Sequence, residues 1–186
     1  MWDVILVILV FNANWWIDFK YIAFTGFPLT LMLFYAIWYW NYFPTSMYRT
    51  DGISMFDVGI LLGLTDALQT FLHYGAHTFL KHTFFGKAHM IHHLYRDPVP
   101  QDAFFTGFAD AVLQLILPIW LILTIVQPTK WTAAMFGCVY SWWLLFIHSY
   151  SRREYHWLEY MRIVTPKHHH KHHHNPRTNF SNIFVF

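Results

Sequence analysis

The chain has 186 residues, 56% of them hydrophobic, 22% aromatic and 12% charged, with a mean hydropathy of +0.30. A soluble domain is about a quarter charged, so this balance describes one membrane-embedded unit. The net charge of +2 and the gathering of basic residues beside histidines exclude a nucleic-acid binder. The single cysteine, Cys138, excludes intrachain disulfides and cysteine-ligated iron–sulfur clusters, and in its apolar setting it reads as a buried thiol.

In chain order, residues 2–11 are apolar but too short to cross a bilayer, which takes about 20 residues in a helix. Asp3 stands where a secretory signal would carry positive charge, so this segment is expected to be retained and membrane-associated. Residues 1–24 form an interfacial stretch or an imperfect first span, and residues 27–43 a better span closed by Trp38, Tyr39, Trp40 and Tyr42 as an aromatic belt. A polar connection at 44–57 leads to an apolar run at 58–72, which delivers His73 and His77 to one membrane face. A long run at 104–126, a turn at Gln127-Pro128-Thr129-Lys130 and a return run at 131–147 ending at His148 form a membrane hairpin. Lys81, Lys87, Arg96, Arg152, Arg153, Arg162, Lys167, Lys171 and Arg177 lie with the histidine segments, against Arg49 and Lys130 opposite. The histidines are therefore expected to face the cytoplasm, at the endoplasmic reticulum in a eukaryotic host.

The histidines carry the chemistry. His73 and His77 are four apart, one helical turn on one face; His89, His92 and His93 are three and four apart, and His169, His172 and His173 repeat that spacing. With His148 this makes nine imidazoles on one side, too many for one ion and suited to two. Imidazole serves iron, copper, nickel and zinc, so ligand type does not choose the metal. The setting favours iron, because unreactive lipid C–H bonds call for an oxidant derived from oxygen. The run at 168–174 resembles a purification tag, but Lys171 interrupts it and an apolar end follows. His82, His156, His168, His170 and His174 read as interfacial or hydrogen-bonded side chains. Asp66 and Asp110 are ionisable groups in or near apolar runs, where such residues suggest function. Asp66 or Gln69, seven and four residues before His73, is placed to accept a hydrogen bond from an imidazole and fix its tautomer.

Taken together, His73-Tyr74-Gly75-Ala76-His77, His89-Met90-Ile91-His92-His93 and Thr165-Pro166-Lys167-His168-His169-His170-Lys171-His172-His173 resemble the three ordered histidine boxes of the fatty acid hydroxylase and sterol desaturase superfamily. The stretch from Pro98 through Asp110 and Gln114 to Pro118 is similar to that of sterol C-5 desaturases. The resemblance spans about residues 66–182. It implies an all-α integral membrane bundle of about four transmembrane helices under a cytoplasmic histidine-rich di-metal cap, with residues 1–57 as an N-terminal membrane or interfacial region and 58–186 as the histidine-box domain. It also implies a di-iron site of two Fe ions that activates O2 to hydroxylate or desaturate a sterol or fatty acyl chain. His73, His77, His89, His92, His93, His169, His172 and His173 would be catalytic, and His148 would join them on the metals. No nucleotide-binding glycine fingerprint or haem-attachment motif is present, so electrons are expected from a separate cytochrome b5 or ferredoxin type donor, docking by an acidic face on the exposed Lys and Arg. Three departures stand out. Tyr74 replaces a common Arg, Asn179-Phe180-Ser181 replaces Asn-Tyr-Gly, and the chain ends at Phe186 before the Trp-Asp and Phe-Gly-Thr tail of many members, as a short form or a fragment would.

Two other readings compete. One is a non-catalytic membrane metal-binding or transport protein that uses residues 168–174 as a loose chelator, although metal-coordinating residues are not spaced through several spans. The other is a carotenoid hydroxylase, which the stretch after His148 does not resemble.

Overall fold

The computed structural model describes residues 35–36, 43–49, 51–149 and 154–185. The expectations for residues 1–24 and nearly all of the 27–43 span lie outside these residues, as do Arg152 and Arg153.

Among the described residues the structure is helical, apart from one isolated antiparallel bridge between Ile163 and Phe184. Helix α1 covers Met55–His77, α2 Phe84–His92, α3 Phe108–Val126, α4 Lys130–Ile147, α5 His156–Tyr160 and α6 Pro166–His174. Ser54 caps α1 by accepting the Asp57 N–H at 3.2 Å, one turn earlier than the apolar run begins. The same helix continues through the first histidine box to His77, so 58–72 proves to be the middle of a longer element. Likewise α3 begins at Phe108, not at residue 104. Pro100–Phe104 winds as a 3-10 turn, held by the Asp102 carboxylate accepting the Val99 N–H at 2.9 Å.

By length and composition α1 and α3 are able to cross a membrane. The 18 residues of α4 reach about 27 Å at 1.5 Å per residue. The hairpin turn fixes their relative directions. Thr129 caps α4 and donates to the Gly52 carbonyl at 3.0 Å, Ser54 N–H donates to Thr132 Oγ1 at 2.9 Å, and Lys130 N–H donates to the Arg49 carbonyl at 3.2 Å. The starts of α1 and α4 are thereby tied at one end, so the two helices run parallel and α3 runs against both. Val58 and Leu61 of α1 meet Ile122 and Leu123 of α3 and Phe136 and Tyr140 of α4 in one buried core. All nine box and hairpin histidines gather at the other end.

Helix α3 contains a π-turn at Val112–Ile116, where the Leu117 N–H reaches back to the Val112 carbonyl. Its cause is legible: the Gln114 carbonyl would normally accept from residue 118, and Pro118 has no N–H. The freed carbonyl accepts instead from Gln69 Nε2 of α1 at 2.5 Å. Gly86 is required where α2 starts, because a Cβ there would sit 2.2 Å from the Leu80 carbonyl oxygen.

Candidate metal centre

Each box lies on a helix or at a helix end, so its spacing becomes a direction. In α1, His73 and His77 stand one turn apart; in α2, His89 and His92 are followed by His93 as the capping residue. Helix α6 starts at Thr165 with Pro166 in its first turn, and His169, His172 and His173 form its buried face. His148 is the residue that ends α4.

The structure sorts the nine into two groups. His73, His77, His89, His93 and His172 have ligand atoms all within 4.8 Å of one another, and so do His92, His148, His169 and His173. Boxes two and three are each divided, since neighbouring His92 and His93, and neighbouring His172 and His173, go to opposite groups. Nε2 atoms face each other at 3.2 Å between His73 and His77, 3.0 Å between His77 and His89, and 3.2 Å between His93 and His172. In the second group His148 and His169 approach to 2.9 Å, and His169 and His173 to 3.2 Å. Two imidazoles bound to one ion at about 2.1 Å stand about 3.0–3.4 Å apart, depending on the angle between the bonds.

Hydrogen bonds on the far side of the rings settle the tautomers. His73 Nδ1–H donates to the Phe180 carbonyl at 2.7 Å, His172 to Thr178 at 2.6 Å, and His89 to the Asp110 carboxylate at 3.1 Å. In the second group His92 donates to Phe105 at 3.1 Å, His148 to Leu144 at 2.7 Å and His173 to Tyr95 at 2.9 Å. An imidazole that donates from Nδ1 while neutral keeps a bare lone pair on Nε2. Each group therefore holds at least three converging lone pairs, and those of His92 and His148 face each other at 3.3 Å, where a hydrogen bond is ruled out. A cation is the partner such an arrangement fits.

Burial also keeps these rings neutral. It pushes His92 down to about 4 and His172 to about 3, and it holds His93, His169 and His173 well below the ordinary histidine value, with neighbouring histidines adding to the effect for each.

The remaining histidines join neither group. His168 takes part in the cap of α6, its Nδ1 3.0 Å from Thr165 Oγ1; His174 meets Asp97 at 2.9 Å; exposed His156 meets Glu154 at 2.9 Å. His82 is exposed and His170 half-buried. Residues 168–174 are thus not a single chelating strand, because the helix aims its histidines in different directions.

The role expected of Asp66 or Gln69 belongs to Asp110. Asp110 orients His89 and accepts a hydrogen bond from Thr106 Oγ1. Asp66 instead accepts three backbone N–H groups from residues 182–184, and Gln69 is bonded by Tyr140 and Asn182. Sequence reasoning missed the carbonyls of Tyr95, Phe105, Leu144, Thr178 and Phe180, since a backbone acceptor leaves no mark in residue type. Asp110 did leave a mark, as an ionisable residue in an apolar run.

A cavity of about 100 Å³ lies beside the rings and touches both groups, through His73 and His89 on one side and His92, His148 and His169 on the other. Phe104, Ala111, Leu115 and Leu144 give it apolar walls, and Gln69, Gln114 and Tyr140 a polar end.

The arrangement is that of a helical protein with two helices able to cross a membrane and a doubly grouped histidine centre whose donor set fits metal. Residues 62–186 match the family model described as fatty acid hydroxylase. The chain belongs to that family, within the fatty acid hydroxylase and sterol desaturase superfamily. It is also similar to a curated protein named alternative squalene epoxidase, from Phaeodactylum tricornutum (strain CCAP 1055/1), at 28% identity over 166 residues. The alignment covers 87% of this chain and 47% of that protein, so the chain spans about half the length of the curated relative. No solved structure matches.

Proposed function

We propose that the chain is a membrane di-iron oxygenase that hydroxylates or desaturates a lipid with O2 and externally supplied electrons. The observation that carries this reading is the pair of histidine groups, each with at least three bare Nε2 lone pairs, flanking one cavity with apolar walls. Iron bound there would supply oxygen activation. The protein's own residues hold the metal ligands in one tautomer, exclude water with a buried shell, and offer an apolar wall to a hydrocarbon segment. Hydroxylation of R–H consumes O2, two electrons and two protons and yields R–OH and water. Desaturation uses the same inputs and yields two waters.

The electrons would come from a cytochrome b5 or ferredoxin type donor, whose acidic face suits the exposed Lys and Arg beside the boxes. The bundle would have about four membrane helices with the histidines at the cytoplasmic end. A sterol or fatty acyl chain fits the cavity's chemistry. Because a similar protein is named as a squalene epoxidase, squalene is a further substrate to test.

Purified protein is expected to hold about two irons per chain, and His92→Ala to lose the ion of the four-histidine group. A folded wild-type protein that takes up no metal overturns the reading. With iron and a competent donor supplied, the lipids of cells with and without the chain should differ by an added oxygen or a lost pair of hydrogens.

A further inference from the structure

Asp66 sits in the middle of α1 and is 0% exposed, yet it is absent from the cavity wall and its hydrogen bonds go to backbone N–H groups rather than to a histidine. Its carboxylate is given over to the main chain of the last described segment. Asn182 and Ile183 N–H donate to Oδ1, both at 2.9 Å, and Phe184 N–H donates to Oδ2 at 3.0 Å. Bonds from N–H groups to an ionised carboxylate are roughly twice as strong as neutral ones, so this is the firmest of the segment's attachments. Lesser ones surround it: Trp143 Nε1–H donates to the Asn182 carbonyl at 2.7 Å, and Thr70 Oγ1 donates to Ser181 Oγ at 3.1 Å.

The same segment, a few residues earlier, supplies the carbonyls of Thr178 and Phe180, which orient His172 and His73. Asn179 between them adopts a left-handed conformation, with φ 56°, and its Nδ2 donates to the His168 carbonyl at 3.2 Å. Both oriented rings belong to the five-histidine group. In the four-histidine group the acceptors are Phe105, Leu144 and Tyr95, none of them in residues 178–184. The five-histidine group therefore takes two of its ring acceptors directly from this strap, whereas the ring acceptors of His92, His148 and His173 lie outside it.

We infer that Asp66 is a positioning residue for the five-histidine metal: by anchoring residues 182–184 it sets the carbonyls that hold His73 and His172 with Nε2 toward the ion. The inference rests on the two-metal reading above. A proton-relay or substrate-binding role for Asp66 is disfavoured because its side chain does not line the cavity and both of its oxygens are engaged by backbone donors.

The test is metal stoichiometry in the full chain, purified from membranes, loaded with iron and measured with its helical circular dichroism. Wild type is expected to hold about two irons and Asp66→Ala about one, with helicity retained. His92→Ala should also hold about one, and the double variant close to none, because the two substitutions empty different groups. Asp66→Asn, which keeps one acceptor oxygen for two of the three N–H groups, should fall between, with the five-histidine ion bound about 10–100-fold more weakly than in wild type. If wild type holds two irons and Asp66→Ala also holds two, or if Asp66→Asn binds both as tightly as wild type, the inference fails and the two-metal reading stands. If Asp66→Ala loses both ions together, the residue is only structural and the inference fails. A wild type that never holds two overturns the two-metal reading, and this inference with it.

Discussion

At the scale of single residues, the centre depends on groups that bind no metal themselves. The Asp110 carboxylate holds Nδ1–H of His89, so Asp110→Ala leaves that imidazole free to turn and to take the other tautomer. Loss of such a partner typically weakens metal affinity 10–100-fold; competition with a chelator should show this shift for one ion per chain while the other keeps its affinity. Protonation acts on the same atoms. Histidine in an unfolded chain titrates near 6.5, whereas burial holds His92 at about 4 and His172 at about 3. Between those values the unfolded state binds more protons than the native one, so the stability of the metal-free protein falls as pH drops below about 6.5. It continues to fall until the buried rings themselves protonate. Thermal unfolding of metal-free protein is expected to show a falling midpoint from pH 7 to pH 4.5, and a flat profile would contradict the burial seen here.

At the scale of elements, helix ends and one helix defect place the site. Two residues, Gly86 and Pro118, show how local rules set these positions. Gly86→Ala drives a methyl group against the Leu80 carbonyl and should push α2, with His89 and His92, out of register. The expected cost is at the upper end of ordinary single substitutions, about 3 kcal/mol, read as a lowered unfolding midpoint. Pro118→Ala restores an N–H for the Gln114 carbonyl and should convert the π-turn to regular α-helix. That rotates Phe108 to Ala111, and Asp110 with them, relative to the rest of α3. Hydrogen exchange at residues 112–118 would detect the new bond, and unchanged exchange would show that another feature holds the bulge. These elements also explain where boundaries departed from expectation. The run at 104–126 looks continuous by hydropathy, but Pro98, Pro100 and Asp102 favour a 3-10 turn before α3 begins.

At the scale of the molecule, metal binding is expected to be coupled to the fold. Five elements converge on the centre: α1, α2, the start of α3, the end of α4, and α6 with the strap behind it. Nine imidazoles facing one another, seven of them buried, gain little without a cation, so metal binding should stabilise the whole assembly. A rise in unfolding midpoint on adding iron, reversed by chelation, is the expected result. Membrane orientation is tested at the same scale: cysteines placed at Lys81 and Lys171 are expected to react with an impermeant reagent from the cytoplasmic side only.

Much of this was written in the order of residues. The 3-and-4 spacing of His89, His92 and His93, repeated at His169, His172 and His173, marks one helical face because α-helix geometry is local and periodic. Hydropathy marked α1 and α3 for the same reason. The sequence by itself thus determined the helical class, the nine histidines and the family. It did not determine how those nine divide, because adjacent residues such as His92 and His93 point to opposite sides of a helix end, and only neighbouring helices decide what each side meets. Nor did it reveal that Asp66, seven residues from His73, binds the strap and leaves histidine orientation to Asp110 and to peptide carbonyls. The Asp66 and Asp110 pairings join positions 21 to 118 residues apart, and backbone acceptors, near or far in the chain, carry no side-chain signature, so the packed tertiary structure selects them.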